Sequence, residues 1–266
     1  MKKALLYTLV FLVIQVVATT IATAVMTLIV KDLTAQHATT MQIVGMSLSS
    51  LTTIALFLWL RWAEVSKSYM RSRPWMVLFW SCMAAIGSIV PSLLLQEMMP
   101  EWPAAIESYV REAEVQTIRL LGTQAGYVVV CLLVPVAEEL VFRGAILRAL
   151  LVWKPQQRWT MIALSALIFA LVHLNPDQMP HAFLAGLLLG WMYMRTHSVV
   201  PGVAFHLVNN TASYVLVRLY PAPDIRLTDI LGGSSRSVLM AAVFSLLILL
   251  PALFQLNVWM KKAGKD

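Results

Sequence analysis

Charge is scarce in this chain. Asp, Glu, Lys and Arg make up 12% of its 266 residues, against about 25% in an average soluble domain. With 59% hydrophobic residues and a mean hydropathy of +0.76, this excludes an ordinary soluble domain and leaves an integral membrane protein. Cysteine is nearly absent as well. Cys82 and Cys131 both lie in apolar runs, form no CxxC and no ligand cluster, and read as packing residues. The chain has no HExxH, no GxSxG, no P-loop and no dinucleotide fingerprint, which removes the usual zinc-protease helix, the nucleophile elbow and two nucleotide-binding folds. Short segments of alternating polarity are missing too, so a membrane barrel is excluded in favour of helices. There is no low-complexity tract and no internal repeat. The net charge of +7 is explained by loop charges rather than by nucleic acid.

What is present is a series of apolar runs, at about residues 4–30, 41–60, 75–96, 116–137, 159–175, 181–194, 199–217 and 237–259. A span needs about 20 apolar residues. The pattern predicts an all-α, multi-pass bundle of about eight membrane helices, forming a single domain over residues 1–266. The Lys2-Lys3 start resembles a signal peptide, but the following run is too long for a signal core and reads as the first span. The sixth run is short, and the fourth continues as helix to about Leu151.

The loop charges give an orientation. With the N-terminus in the cytoplasm, thirteen basic residues face inward: Lys2, Lys3, Arg61, Lys67, Arg71, Arg73, Arg148, Lys154, Arg158, Arg195, Lys261, Lys262 and Lys265. Six face outward: Lys31, Arg111, Arg119, Arg218, Arg226 and Arg236. The positive-inside rule then places both termini in the cytoplasm, and the small size and short loops fit a cell inner membrane of a bacterium. Glu97 to Glu114 is acidic and predicts a polar helix on the outer surface, while Pro221 to Ser235 reads as irregular. Trp59, Trp62, Trp75, Trp153 and Trp159 fall near the inner ends, where an aromatic belt belongs.

Against this apolar background, three patterns stand out: Glu138-Glu139-x-x-x-Arg143, Phe169-x-x-x-His173 and His206-x-x-x-Asn210. Ionisable groups at membrane depth are costly and mark functional sites. On an α-helix Glu139 and Arg143 share a face and neutralise each other, whereas Glu138 is turned by about 100° and is available as a base. Phe169 and His173 share a face of the fifth helix, which Asn175-Pro176 ends. His206 and Asn210 stand one turn apart and can donate two hydrogen bonds to one oxyanion, or simply join helices. Asn209 points about 100° away from Asn210. A zinc site built from Glu138, His173 and His206 is chemically open, because two His and one Glu form a known ligand set. His37, His181 and His197 lie in loops or at helix ends and carry no assignment. One tension remains. Glu138 and His206 fall toward the cytoplasmic half, whereas His173 lies about 15 residues into the fifth run, beyond the midplane. Either the fifth helix begins deeper or the boundaries differ, and a joint site requires the first, a fifth helix sunk below the surface after a long fourth one.

The three motifs, in this order on successive apolar segments, resemble the CAAX-protease-and-bacteriocin-processing (Abi) family, whose members are similar to type II CAAX prenyl endopeptidases. The resemblance covers about residues 115–217 and implies an intramembrane glutamate peptidase. It implies that Glu138 and His173 activate water, and that His206 and Asn210 form the oxyanion hole. Glu139 and Arg143 would hold the site, with Phe169 packed beside it. The implied partners are the lipid bilayer and a peptide or lipidated-peptide substrate, with no nucleic acid and no cofactor apart from the zinc alternative. Substrate identity is not written in the sequence. Two other roles use the same groups: a bacteriocin-immunity or binding protein without turnover, and a proton-coupled transporter.

Overall fold

The computed structural model describes residues 1–30, 34–65, 67–223 and 225–263. Lys31 and Lys265, counted among the loop charges, lie outside the described residues. Among the described residues the secondary structure is helical, with no strand. The long helices are α1 (Lys2–Ile29), α2 (Ala35–Trp59), α4 (Trp75–Glu97) and α5 (Ala104–Leu121), with the short α3 (Lys67–Arg71) between α2 and α4. They continue as α6 (Gln124–Trp153), α7 (Arg158–Leu171), α8 (Met179–Thr196) and α9 (Val200–Leu219). The short α10 (Leu227–Ile230) and the long α11 (Ser235–Ala263) complete the chain.

Each of the eight apolar runs is a helix, and the chain is a multi-pass membrane protein. Five helices, α1, α2, α4, α6 and α11, are long and apolar enough to cross a bilayer. The remaining three, α7, α8 and α9, are shorter. Helix α7 has only 14 residues, about 21 Å at 1.5 Å per residue, against a hydrocarbon core of about 30 Å. Helices α8 and α9 place polar side chains inward.

The fourth span differs from its sequence expectation. It runs from Gln124 to Trp153 rather than from 116 to 137, because Gly122 and Thr123 separate it from α5. The Thr123 hydroxyl accepts from the Gly126 N–H at 2.9 Å and starts the new helix. The apolar residues Ile118–Leu121 belong to α5, so hydropathy alone ran two helices together. Glu138 therefore lies midway along α6, and this resolves the depth conflict. The boundary was misplaced; the fifth helix is not sunken, since α7 begins at Arg158.

Helix α6 holds two wide-turn π stretches, Tyr127–Leu133 and Leu140–Leu147, flanking the α-helical Val134–Glu139. Pro135 accounts for the first. It has no N–H to offer the preceding turn, and its ring crowds the carbonyl four residues back, at Cys131. Both stretches receive a donor from a neighbouring helix. Asn210 Nδ2 donates to the Val130 carbonyl at 2.9 Å, and the Ser165 hydroxyl donates to the Phe142 carbonyl at 3.1 Å.

Two hydrophobic clusters hold the bundle. One joins α1, α2, α6, α7 and α8 around Phe11, Phe57, Phe142, Leu147 and Ile162. The other joins α4, α8, α9 and α11 around Ala84, Met192, Phe205 and Leu256. Small residues set the closest approaches, as is usual between membrane helices. A Cβ at Gly186 would lie 2.8 Å from that of Ala166, which holds α8 tight on α7.

The ends of the bundle sort as the alternating helices require. At one end Arg148 pairs with Glu64 at 3.0 Å, joining the α2–α4 connection to α6. Trp59, Trp75, Trp153 and Trp159 are exposed there, while Trp62 packs on Tyr7 and Phe57. At the other end the Trp102 indole donates to Asp177 at 2.7 Å, Arg218 donates to the Gly122 carbonyl at 2.8 Å, and the Leu227 N–H donates to Glu97. These bonds join the α4–α5 connection to the 172–178 turn, α9 to the end of α5, and α10 to the end of α4. The α9–α11 connection is less irregular than its composition predicts, because α10 forms within it. Gly232 and Gly233, at φ of 87° and 79°, make the turn that follows.

Candidate active site

The three motifs meet. Glu138, Phe169, His173, His206 and Asn210 line one cavity of about 370 Å³. The adjacent carboxylates Glu138 and Glu139 occupy different environments, as their helical offset predicts. Glu139 is fully buried and its Oε1 meets Arg143 Nη1 at 2.5 Å. The Glu138 side chain retains 16% of its exposure and faces the cavity. One carboxylate is therefore neutralised within the protein, and the other is open to substrate and water.

Arg143 is held on three sides. It pairs with Glu139, its Nη2 points to the Gly186 carbonyl at 3.5 Å, and its guanidinium lies 4.3 Å from the Phe169 ring centroid. Such a stack contributes about 0.5–2 kcal/mol depending on desolvation. Gly202 makes room for Glu139, because a Cβ there would collide with Glu139 Oε2. Nothing in the spacing of the motifs flags Gly202.

Phe169 joins the three motifs. Its ring meets those of Phe142 at 5.0 Å, His173 at 4.7 Å and His206 at 6.0 Å, all edge-on. His173 lies just beyond the end of α7 rather than within it. Its Nδ1 still reaches the Phe169 carbonyl at 2.8 Å. A carbonyl only accepts, so Nδ1 carries a proton, and in the neutral imidazole the lone pair is on Nε2.

The His206 imidazole stands between the two glutamates, with Nε2 3.6 Å from Glu138 Oε2 and Nδ1 3.5 Å from Glu139 Oε1. Asn210 uses one amide N–H to bind Val130, while its backbone carbonyl accepts from Cys131 Sγ at 3.3 Å. Its second amide N–H remains to serve the cavity. Asn209 also lines the cavity, despite its expected offset.

Two further residues reach this cavity that the motifs did not indicate. His181 and Gln178 line it, and His181 lies within electrostatic reach of His173 and His206. Both sit at the start of α8, where the 172–178 turn folds back toward Glu138. No local pattern around them marks this; only the tertiary turn does. Among the described residues, no three His, Cys, Asp or Glu side chains converge as a metal-holding set. The trio Glu138, His173 and His206 does not form such a set in this arrangement.

Residues 122–212 match the family model described as type II CAAX prenyl endopeptidase Rce1-like. The match spans about a third of the chain, includes all three motifs and falls within the core at about 115–217. Over this stretch the chain is CAAX-protease-like, as the motifs indicated. No curated protein and no solved structure matches the chain.

Proposed function

We propose that the protein is an intramembrane endopeptidase that hydrolyses a peptide bond in a membrane-associated or lipid-anchored peptide. The observation that carries this reading is the convergence of Glu138, His173, His206 and Asn210 on one cavity at the depth of the middle of α6. Glu138 is its reactive carboxylate, because Arg143 already engages Glu139. Glu138 takes a proton from water, assisted by the Nε2 lone pair of His173, and the water oxygen attacks the scissile carbonyl. His206 and the second N–H of Asn210 donate to the oxyanion, and a preorganised donor of this kind contributes about 10²–10³ in rate. The proton held by Glu138 then passes to the leaving amine as the C–N bond breaks. His206 also stands beside Glu138 before reaction, which orients the carboxylate toward the water. Orientation with both termini in the cytoplasm of an inner membrane is part of this proposal and rests on the loop charges.

The test compares purified wild type with Glu138→Gln on quenched, membrane-anchored peptides, with and without a strong chelator. Cleavage by wild type alone, indifferent to chelator, is expected. Equal cleavage by Glu138→Gln would remove Glu138 from the chemistry. Cleavage lost to chelator and restored by zinc would replace the glutamate-and-water mechanism with a metal-dependent one. Cleavage by neither protein, with peptide binding retained by both, would favour a binding or immunity role.

A further inference from the structure

The lining of the cavity extends to one end of the bundle. Its mouth is formed by Gln42 near the start of α2, Gln96 at the end of α4, Thr117 of α5, Gln178 and Ser213. All of these belong to the end that carries the acidic α5. There it is continuous with a vestibule of about 330 Å³, which shares Gln96, Thr117, Gln178 and Ser213 and adds Glu97 and Asp177. In the opposite direction the way is closed. Every residue from Leu140 to Leu147 is buried, and Leu150, Met161 and Ile162 complete the plug below Glu139 and Arg143. The separate cavity of about 860 Å³ at the other end, lined by Glu64, Arg148, Arg158 and His197, shares no lining residue with the catalytic one.

The closed end is the basic end. It carries Lys2, Lys3, Arg61, Arg71, Arg73, Arg148, Lys154, Arg158 and Arg195, whereas the open end has Arg111, Arg119, Arg218, Arg226 and Arg236 among many carboxylates. An excess of Lys and Arg in short loops marks the cytoplasmic side, and acidic residues contribute little to that rule. The short α7 explains why the cavity opens where it does. It stops at Leu171, and the 172–178 turn that follows brings His173 and Gln178 to the cavity lining and Asp177 to the vestibule. The Trp102–Asp177 bond ties that turn to the α4–α5 connection at the rim.

We infer that substrate reaches Glu138 from the extracytoplasmic side. The substrate class is then a peptide segment displayed at the outer leaflet, or emerging from it, and not a lipidated C-terminus held at the cytoplasmic face. This inference rests on the endopeptidase reading for its chemistry, and on charge and cavity geometry for its direction.

Thiol accessibility tests the direction without needing activity. Ser213→Cys and Gln178→Cys place a thiol at the mouth, and Gln156→Cys places one in the α6–α7 connection at the basic end. Wild type, with Cys82 and the buried Cys131, gives the background. A membrane-impermeant maleimide is applied to spheroplasts and, separately, to inverted vesicles. The mouth thiols are expected to react in spheroplasts, and the Gln156→Cys thiol only in inverted vesicles. The reverse pattern overturns the inference, as does a mouth thiol that reacts from the cytoplasmic side alone or only in detergent. Either mouth variant suffices if the other fails to reach the membrane. Quenched N-acylated peptides then give a second readout, and cutting by spheroplasts but not by inverted vesicles is expected. Cutting by inverted vesicles alone also overturns the inference. No cutting by either preparation counts against the endopeptidase reading, while the thiol pattern still decides the direction.

Discussion

The buried pair Glu139–Arg143 makes an asymmetric prediction. Removing one partner of a buried ion pair costs about 3–5 kcal/mol, because the other charge is stranded. The two partners are not stranded equally. In Glu139→Gln the guanidinium keeps its charge, since arginine is not deprotonated in proteins. Only Glu138, the Gly186 carbonyl and the Phe169 ring remain near it. The full loss of about 3–5 kcal/mol is expected, together with a Glu138 drawn toward Arg143 and away from the cavity. In Arg143→Met the carboxylate can escape its charge by taking a proton. For a carboxyl of ordinary pKa near 4.3 this costs at most about 3.7 kcal/mol at pH 7. Part of that is offset, because Met fills apolar space beside Phe169. Arg143→Met should therefore be less destabilised than Glu139→Gln by about 1–2 kcal/mol, and the double variant should be closer to wild type than Glu139→Gln is. Thermal unfolding in detergent, read by intrinsic tryptophan fluorescence, measures the order. Equal losses within about 0.5 kcal/mol, or a Glu139→Gln loss below about 1 kcal/mol, would refute a desolvated pair.

Three further outcomes are expected. Gly202→Ala should push its new Cβ against the Glu139 carboxylate, cost about 1–3 kcal/mol in thermal unfolding and lower cleavage by displacing Glu138; unchanged unfolding would mean that α9 yields freely there. Asn210→Ala removes one interhelical hydrogen bond, worth about 0.6–1.7 kcal/mol in membrane helices, but should lower kcat by about 10²–10³ if its second N–H meets the oxyanion. A rate loss no larger than tenfold would assign Asn210 to helix joining alone. Phe169→Leu keeps an apolar side chain but loses the stack on Arg143 and the ring edges against His173 and His206. A loss of about 1–3 kcal/mol with a reduced kcat is expected, and a kcat equal to wild type would show that the ring does not set the histidines.

Much of this was legible in the sequence, because hydropathy and charge are local properties. The eight apolar runs and the acidic α5 follow from composition alone. The separate fates of Glu138 and Glu139 follow from a turn of about 100° per residue, and that part of α6 is regular α-helix. Other features depend on contacts that no local pattern encodes. The π stretches are invisible to periodicity, which treats α6 as one uniform spiral. The boundary near Thr123 was hidden because Ile118–Leu121 are as apolar as a span. His181 reads in the sequence as a terminal histidine, since only the 172–178 turn carries the start of α8 into the cavity. His173 was placed on a helical face, yet it keeps its i,i+4 relation to Phe169 through a side-chain bond beyond the last helical turn.

The short α7 has a consequence for the surrounding lipid. Its outer face is apolar and uncovered, with Trp159, Leu167 and Leu171 exposed by 61%, 46% and 51%, and Leu174 of the following turn by 65%. A 14-residue helix with such a face presents a hydrophobic belt about 9 Å narrower than an average bilayer core. Acyl chains beside it must shorten or tilt, because leaving their ends unmatched costs a fraction of a kcal/mol per Å. A bilayer that matches this face is thinner at the flank where the 172–178 turn and His173 lie, which would shorten the path from headgroups to Glu138 there. Turnover should then depend on acyl chain length, fastest in thin bilayers and declining as thicker lipids strain the same edge, which makes lipid composition a control on this site independent of any ligand.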